Sequence, residues 1–178
     1  MSFYFIVDKR ERPGMKRQTS LLSYFGVNTE NGWQVKPEYV DKVRFDNLDC
    51  GDVLFYMSDK PILLIERKDI KDLAGCINSK SYKEQKFRMQ KFKQDNPQLK
   101  LVYLIEDFNL SGLGDLKTIV NPAAPKSQHI DKQTILSAMV STMFRDGFYV
   151  HTTSNLEGTV AFIERLTAKL PTYPKTAL

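Results

Sequence analysis

GDVLFYMSDKPILLIERKDIKDL occupies residues 51–73, and its pattern sets the architecture. DVLFYM (52–57) and PILLIER (61–67) are apolar runs with β-branched and aromatic members, the composition of strands. Between them stands Ser58-Asp59-Lys60, short enough for a tight antiparallel hairpin. The apolar run breaks at Glu66-Arg67-Lys68, and Asp69 is a candidate N-cap for a helix reaching Ile77. Strand side chains alternate between faces, so Glu66 and Lys68 project together and Arg67 projects away from them. The hairpin lays the strand that begins at Asp52 alongside.

Upstream, FYFIV (3–7) reads as a buried strand ending at Asp8, and RERPG then breaks it with Pro13 and Gly14. A short helix fits residues 15–25 around Leu21, Leu22, Tyr24 and Phe25. GVNTENGWQVKP (26–37) is polar and turn-rich, a loop or insertion, and residues 39–45 read as a strand. Downstream, Ser81 to Gln94 reads as a helix ended by Asn96-Pro97. LKLVYLIE (99–106) is a continuous apolar run, as expected of a central strand. Residues 108–130 carry Gly112, Gly114, Pro122 and Pro125 and read as a long mobile loop. Leu136, Met139, Val140, Met143 and Phe144 keep helical spacing, and FYVHTT (148–153) is strand-like. Asn155 caps a last helix with the stripe Leu156, Val160, Ile163 and Leu170. Strands alternating with helices predict an α/β class with a mixed central β-sheet flanked by helices: one domain over 1–170 and a tail over 171–178.

The chain has 178 residues, 42% of them hydrophobic, enough for one sizeable core and too many for a disordered segment. No apolar run approaches the roughly 20 residues of a membrane helix, and the apolar start is too short for a secretory signal. The expectation is therefore a soluble, intracellular protein. Cys50 and Cys76 lie far from His129 and His151 in sequence, without zinc spacing, and read as reduced thiols. Net charge is +5, yet residues 60–93 alone hold ten Lys or Arg against four acids. Basic charge concentrated in this way suits a polyanionic partner, although a solvated helix face has the same composition.

Asp8, Glu11, Asp52 and Glu66 can meet Lys68 at one end of such a sheet. Carboxylates grouped in this way suit magnesium, which takes few protein oxygens and keeps several waters. The metal acidifies water and stabilises charge on phosphorus, and a lysine nearby can orient the attacking water or stabilise that charge. Neither histidine is placed to act as an evident base. By spacing alone, the same residues also describe an exposed strand end with a salt bridge.

ERKDIKDL (66–73), preceded by Gly51-Asp52, resembles the XPF family of structure-specific endonucleases, which carry GD, a strand, and then ERKxxxD. VDKRE (7–11) resembles the family's first element, SYKEQKFRM (81–89) the helix after the motif, LVYLIED (101–107) the next strand, and LSAMVSTMFRDGFYVHTTSN (136–155) the closing helix–strand unit. The resemblance implies a restriction-endonuclease-like core. It implies Asp8, Glu11, Asp52 and Glu66 as the acidic site, with Asp52, Glu66 and Asp8 as metal ligands, Lys68 as catalytic lysine and Arg67 as the motif arginine. Asp72 and Gln85 are then supporting residues, Asp72 by orienting basic side chains. Lys80, Lys83 and Lys86 would contact the DNA backbone without reading bases. The family's Gly-Arg before the second helix is replaced by Lys80-Ser81, so Lys80 or Lys83 would stand in without the arginine fork.

What the resemblance implies is magnesium-dependent hydrolysis of one DNA strand near a branch, flap or junction, leaving a 5′-phosphate, with manganese able to substitute. A nuclear or cytoplasmic location follows, or a viral replication site for a viral member. Such domains pair, and the helices 134–145 and 156–170 are candidate interfaces of a homodimer or heterodimer. The family's paired helix-hairpin-helix modules are not among these residues. That makes the chain either a fragment or a compact stand-alone member of the kind large DNA viruses encode. Rival readings are a phosphodiesterase acting on a cyclic dinucleotide, a non-catalytic DNA-binding partner, and a Holliday-junction resolvase. Tyr82, Phe87 and Phe92 read as core in preference to stacking platforms.

Overall fold

The computed structural model describes residues 2–10, 20–79, 81–106 and 132–173. Its centre is a six-stranded sheet in the order β4-β1-β5-β6-β7-β8. These strands are β1 (Phe3–Asp8), β4 (Val43–Asp46), β5 (Val53–Met57), β6 (Lys60–Asp69), β7 (Lys100–Glu106) and β8 (Tyr149–Thr152). The β1–β5 and β5–β6 pairs are antiparallel, while β1–β4, β6–β7 and β7–β8 are parallel. The sheet is thus mixed, as the alternation of elements predicts. The β5–β6 connection is a two-residue turn, because Lys60 already pairs with Met57. Ser58 and Asp59 both take left-handed backbone angles (φ 49° and 61°), the geometry whose twist matches flanking strands.

β7 is buried along nearly its whole length, as a strand covered on both faces must be. One face of the sheet is covered by α2 (Ile70–Asn78), α3 (Ser81–Asp95) and α4 (Lys132–Phe144), over a core that includes Leu54, Leu64, Leu73, Met89 and Tyr103. The other face carries α1 (Leu21–Phe25) and α5 (Leu156–Lys169), over Phe5, Val53, Ile65, Leu104 and Ile163. Leu170, in a closing 3-10 turn, still belongs to that second core.

Three elements differ from the sequence expectation. GVNTENGWQVKP contains a hairpin, β2 (Gly26–Thr29) against β3 (Gly32–Val35). Its polar residues face outward while Trp33 and Val35 pack on the second core, so the alternation is easily mistaken for a loop. The strand expected over 39–45 is shorter: a 3-10 turn, Pro37–Tyr39, precedes it and only the short β4 is extended. The expected α4 stripe is only partly buried: Leu136 and Met139 pack against the first core, whereas Val140, Met143 and Phe144 are exposed, and the fully buried residues are Ile135 and Thr142. α1 begins at Leu21, capped by Ser20. The long loop expected over 108–130 lies outside the described residues, as do Glu11, Lys80 and the tail beyond Tyr173. Among the described residues no helix is long and apolar enough to cross a membrane.

Candidate active site

The acidic residues collect where β1, β5 and β6 meet. The Asp8 N–H donates to the Asp52 carbonyl (2.9 Å), and the Asp52 N–H donates to the Ile65 carbonyl (2.8 Å). Asp52 is thereby held across from Glu66, one step beyond the Val53–Ile65 pair. The Arg67 N–H also donates to Asp52 Oδ2 at 2.6 Å, so main chain fixes the carboxylate as well as its backbone. Gly51 makes this approach feasible. Its φ is +74°, and a Cβ there would lie 2.5 Å from the Leu64 side chain and 3.1 Å from the Ile65 carbonyl. A glycine before Asp52 is therefore a steric requirement of the local fold.

Glu66 is buried, and Lys68 Nζ lies 3.5 Å from its Oε1. The alternation of β6 places these two on the α2–α3 side, with Leu64. Burial raises the pKa of both Asp52 and Glu66. For Asp52 the Glu66 charge adds to the rise, while Lys68 opposes it at both groups. Two neighbouring carboxylates made reluctant to ionise by burial mark a place where a cation would be favoured.

Asp8 and Arg10 behave differently. Burial alone would raise the Asp8 pKa, but hydrogen bonds from Arg10 outweigh it and hold the group below its ordinary value. The Arg10 backbone N–H (2.8 Å), Nε (3.0 Å) and Nη2 (2.6 Å) all reach this carboxylate, and Nη2 also donates to the Leu48 carbonyl. The expected third metal ligand is thus already engaged by a guanidinium. Among the described residues no three Asp, Glu, His or Cys side chains close into a metal cluster. The donor pair Asp52 and Glu66 still fits a hard divalent cation, since magnesium is commonly bound by one or two carboxylates with waters and substrate phosphate completing its shell.

Arg67 lies on the other face. Its Nε (3.0 Å) and Nη2 (2.7 Å) both bind Glu106 Oε1, and Glu106 is 1% exposed. The motif arginine joins β6 to β7 beneath the site instead of reaching into it.

The expected DNA-contacting lysines separate. Lys83 is exposed. Lys86 is buried, which removes it from any DNA surface: its Nζ bonds Thr142 Oγ1 (3.1 Å), pairs with Asp146 and lies 4.1 Å from the Tyr82 ring centroid. It shares the inward stripe of α3 with Tyr82 and Met89, so its charge closes the α3–α4 packing. Asp72 is exposed in the first turn of α2, where its charge suits the helix dipole. Among the described residues no ion pair shows it orienting basic side chains. Gln85 Oε1 and the Tyr103 hydroxyl are buried and have no hydrogen-bond partner among the described residues. Tyr82 is core and Phe92 is partly so, but Phe87 is 68% exposed. His151 stacks on Phe162 at 3.9 Å, far along the sheet at its β8 edge.

Sequence reasoning missed three charged groups. Arg10 had a local signal, two residues after the acid that ends β1. Glu106, at the end of an apolar strand, had a weaker one. Arg88 had none: it is one of many α3 cations, yet its charge opposes the burial that raises the pKa of both Glu66 and Cys50.

A family model described as the ERCC4 domain matches residues 7–166. The crossover junction endonuclease mus81 of Emericella nidulans is 32% identical over 104 residues, covering 58% of this chain and 14% of that protein. The human structure-specific endonuclease subunit MUS81 is 29% identical over 107 residues, covering 60% of this chain and 16% of its own length. The chain therefore corresponds to a small part of these relatives. XPF from Aeropyrum pernix superposes with a TM-score of 0.57 at 19% identity, over 98% of this chain and 67% of that one. Its complex with DNA gives 0.55 at 21%, over 95% and 64%. With the family model running from the end of β1 into α5, and the same fold in XPF, the chain belongs to the ERCC4 domain family, the XPF-type domains that its ERKDIKDL run resembles.

Proposed function

We propose that this chain is the catalytic domain of a metal-dependent endonuclease that cuts one DNA strand near a branch, flap or junction. The observation that carries it is the convergence of Asp52, Glu66 and Lys68 on one sheet face. Relatives named as crossover junction endonucleases, and a structural neighbour solved in complex with DNA, support the same reading.

Asp52 and Glu66 would hold the divalent ion, magnesium with manganese as a substitute. When bound, such an ion supplies Lewis acidity and offsets phosphate charge. The protein supplies the rest. Main chain from Ile65 and Arg67 fixes Asp52 before substrate arrives. Lys68 keeps a cation beside Glu66, positioned to stabilise charge developing on the phosphate. Arg10 takes up the Asp8 charge, so the cluster presents fewer free negative charges to a polyanion. Lys83 lies on the exposed side of α3 and would follow the backbone. The exposed Val140, Met143 and Phe144 of α4 make that helix the candidate dimer surface, whereas the apolar stripe of α5 is spent on the sheet. An intracellular site, nuclear or cytoplasmic, accompanies a DNA substrate.

The test is cleavage of labelled single strand, duplex, 3′ flap, fork and four-way junction, each with magnesium, manganese or chelator, beside Asp52→Asn. Metal-dependent cutting near a branch, lost in Asp52→Asn while DNA binding persists, is expected. Folded protein that cuts no DNA with either metal would overturn the assignment, and hydrolysis of cyclic dinucleotides instead would redirect it.

A further inference from the structure

We propose that Phe87 is a stacking platform for an unpaired base of the substrate, positioned on α3 between two backbone-binding cations. This rests on the endonuclease reading and specifies how the domain would sense a branch.

Phe87 is 68% exposed on a helix whose other apolar residues turn inward or lie half-buried. A single exposed apolar side chain means little by itself; its neighbours give this one meaning. Lys83, Phe87 and Lys91 stand at i, i+4 and i+8, all exposed, forming one line of cation, ring and cation about 12 Å long. The ring stands between two open depressions. One, of about 490 Å³, is lined with Lys83, Glu84 and Arg88; the other, of about 800 Å³, includes Lys91, Lys93 and Gly147. Arg88, the next residue, lines the first depression together with the ring. A backbone following these cations therefore passes the phenyl ring.

A phenyl ring gains little from an intact duplex, where each base face is already covered by its neighbour. It gains from a base whose stack is open, as at a flap or junction. Stacking on an aromatic side chain is sequence-tolerant and worth about 1–3 kcal/mol per base, so loss of the ring should weaken binding roughly 5- to 150-fold. The exposed charges around the ring, Lys83, Arg88 and Lys91 against Glu84, favour a polyanion as occupant.

The experiment measures binding of wild type and Phe87→Ala to a flap, a fork and a continuous duplex in chelator, so that nothing is cut, and then cleavage with metal. In parallel, Phe87→Trp in a Trp33→Phe background gives a single tryptophan reporter, because the chain has one Trp. The expected results are a loss of at least fivefold for flap and fork in Phe87→Ala with duplex binding unchanged, and tryptophan quenching by flap but not by duplex. Equal affinity of Phe87→Ala and wild type for every substrate would overturn the proposal alone, provided wild type cuts branched DNA. So would a loss shared equally by duplex, or a change in sedimentation that places a second copy of the chain on the ring. Wild type that neither binds nor cuts any DNA would overturn the endonuclease reading, and this one with it.

Discussion

Replacing Arg67 by methionine separates support from chemistry in the ERK motif. The Arg67 side chain is 11% exposed and that of Glu106 1%, with Nη2 to Oε1 at 2.7 Å. Removing the guanidinium leaves the Glu106 charge in a dry environment without this partner. Breaking a buried pair of this kind costs about 3–5 kcal/mol. For a chain of this size that corresponds to a melting temperature lower by roughly 6–20 °C. Chemistry should suffer much less. The Arg67 group that touches Asp52 is its backbone N–H, at 2.6 Å, and every side chain can supply that. Branched-DNA cleavage, measured where the variant is still folded, should stay within about tenfold of wild type, under ~1.4 kcal/mol of barrier. Adding Glu106→Leu should restore part of the stability, since an apolar pair of similar volume tolerates a dry site. Urea denaturation, thermal melts and single-turnover cleavage give the three readings. A variant as stable as wild type but a thousandfold slower would refute the reasoning, because Arg67 would then be acting on substrate.

Metal should stabilise the fold through Asp52 and Glu66: magnesium at a hundredfold excess over its Kd adds about 2.7 kcal/mol, and Asp52→Asn should melt at one temperature with or without metal. An equal metal shift in both proteins would place the ion elsewhere. Lys83→Ala should leave stability within about 0.5 kcal/mol and lower the salt slope of DNA binding by about one. Lys86→Met should instead lower stability by about 1–3 kcal/mol, a lost hydrogen bond and charge partner, and leave the slope unchanged; the reverse pattern would restore Lys86 to the DNA path. Stability without metal should also depend on pH. The raised pKa values of Asp52 and Glu66 mean that their contribution is complete below the ordinary carboxylate range and lost as pH rises through the raised values. Asp8 and Asp146, held low by Arg10 and by Arg145 with Lys86, lose theirs in the opposite direction, as pH falls below the ordinary range. Urea midpoints from pH 4 to 8 in chelator should therefore fall less for Asp52→Asn than for wild type, and parallel profiles would refute the assignment of that slope.

What the sequence by itself determined is local in range. The hairpin Asp52–Arg67, the opposite directions of Glu66 and Arg67, the Asn155 cap and the continuous run of β7 all depend on residues a few positions apart, where strand alternation and turn chemistry act directly. The mixed sheet follows from the alternation of such elements. The tertiary structure alone decided matters in which a residue's environment comes from distant chain. Lys86 and Phe87 are neighbours in a basic helix, and their places are the reverse of what their chemistry suggests: the lysine is buried and the phenylalanine exposed. Thr142 and Asp146, some sixty residues away, make a buried ammonium tolerable, and no local pattern announces them. Arg67 likewise finds Glu106 only because β6 and β7 pair in register. Local rules set which way a side chain points along its own element; the packing of one element on another sets what it meets there.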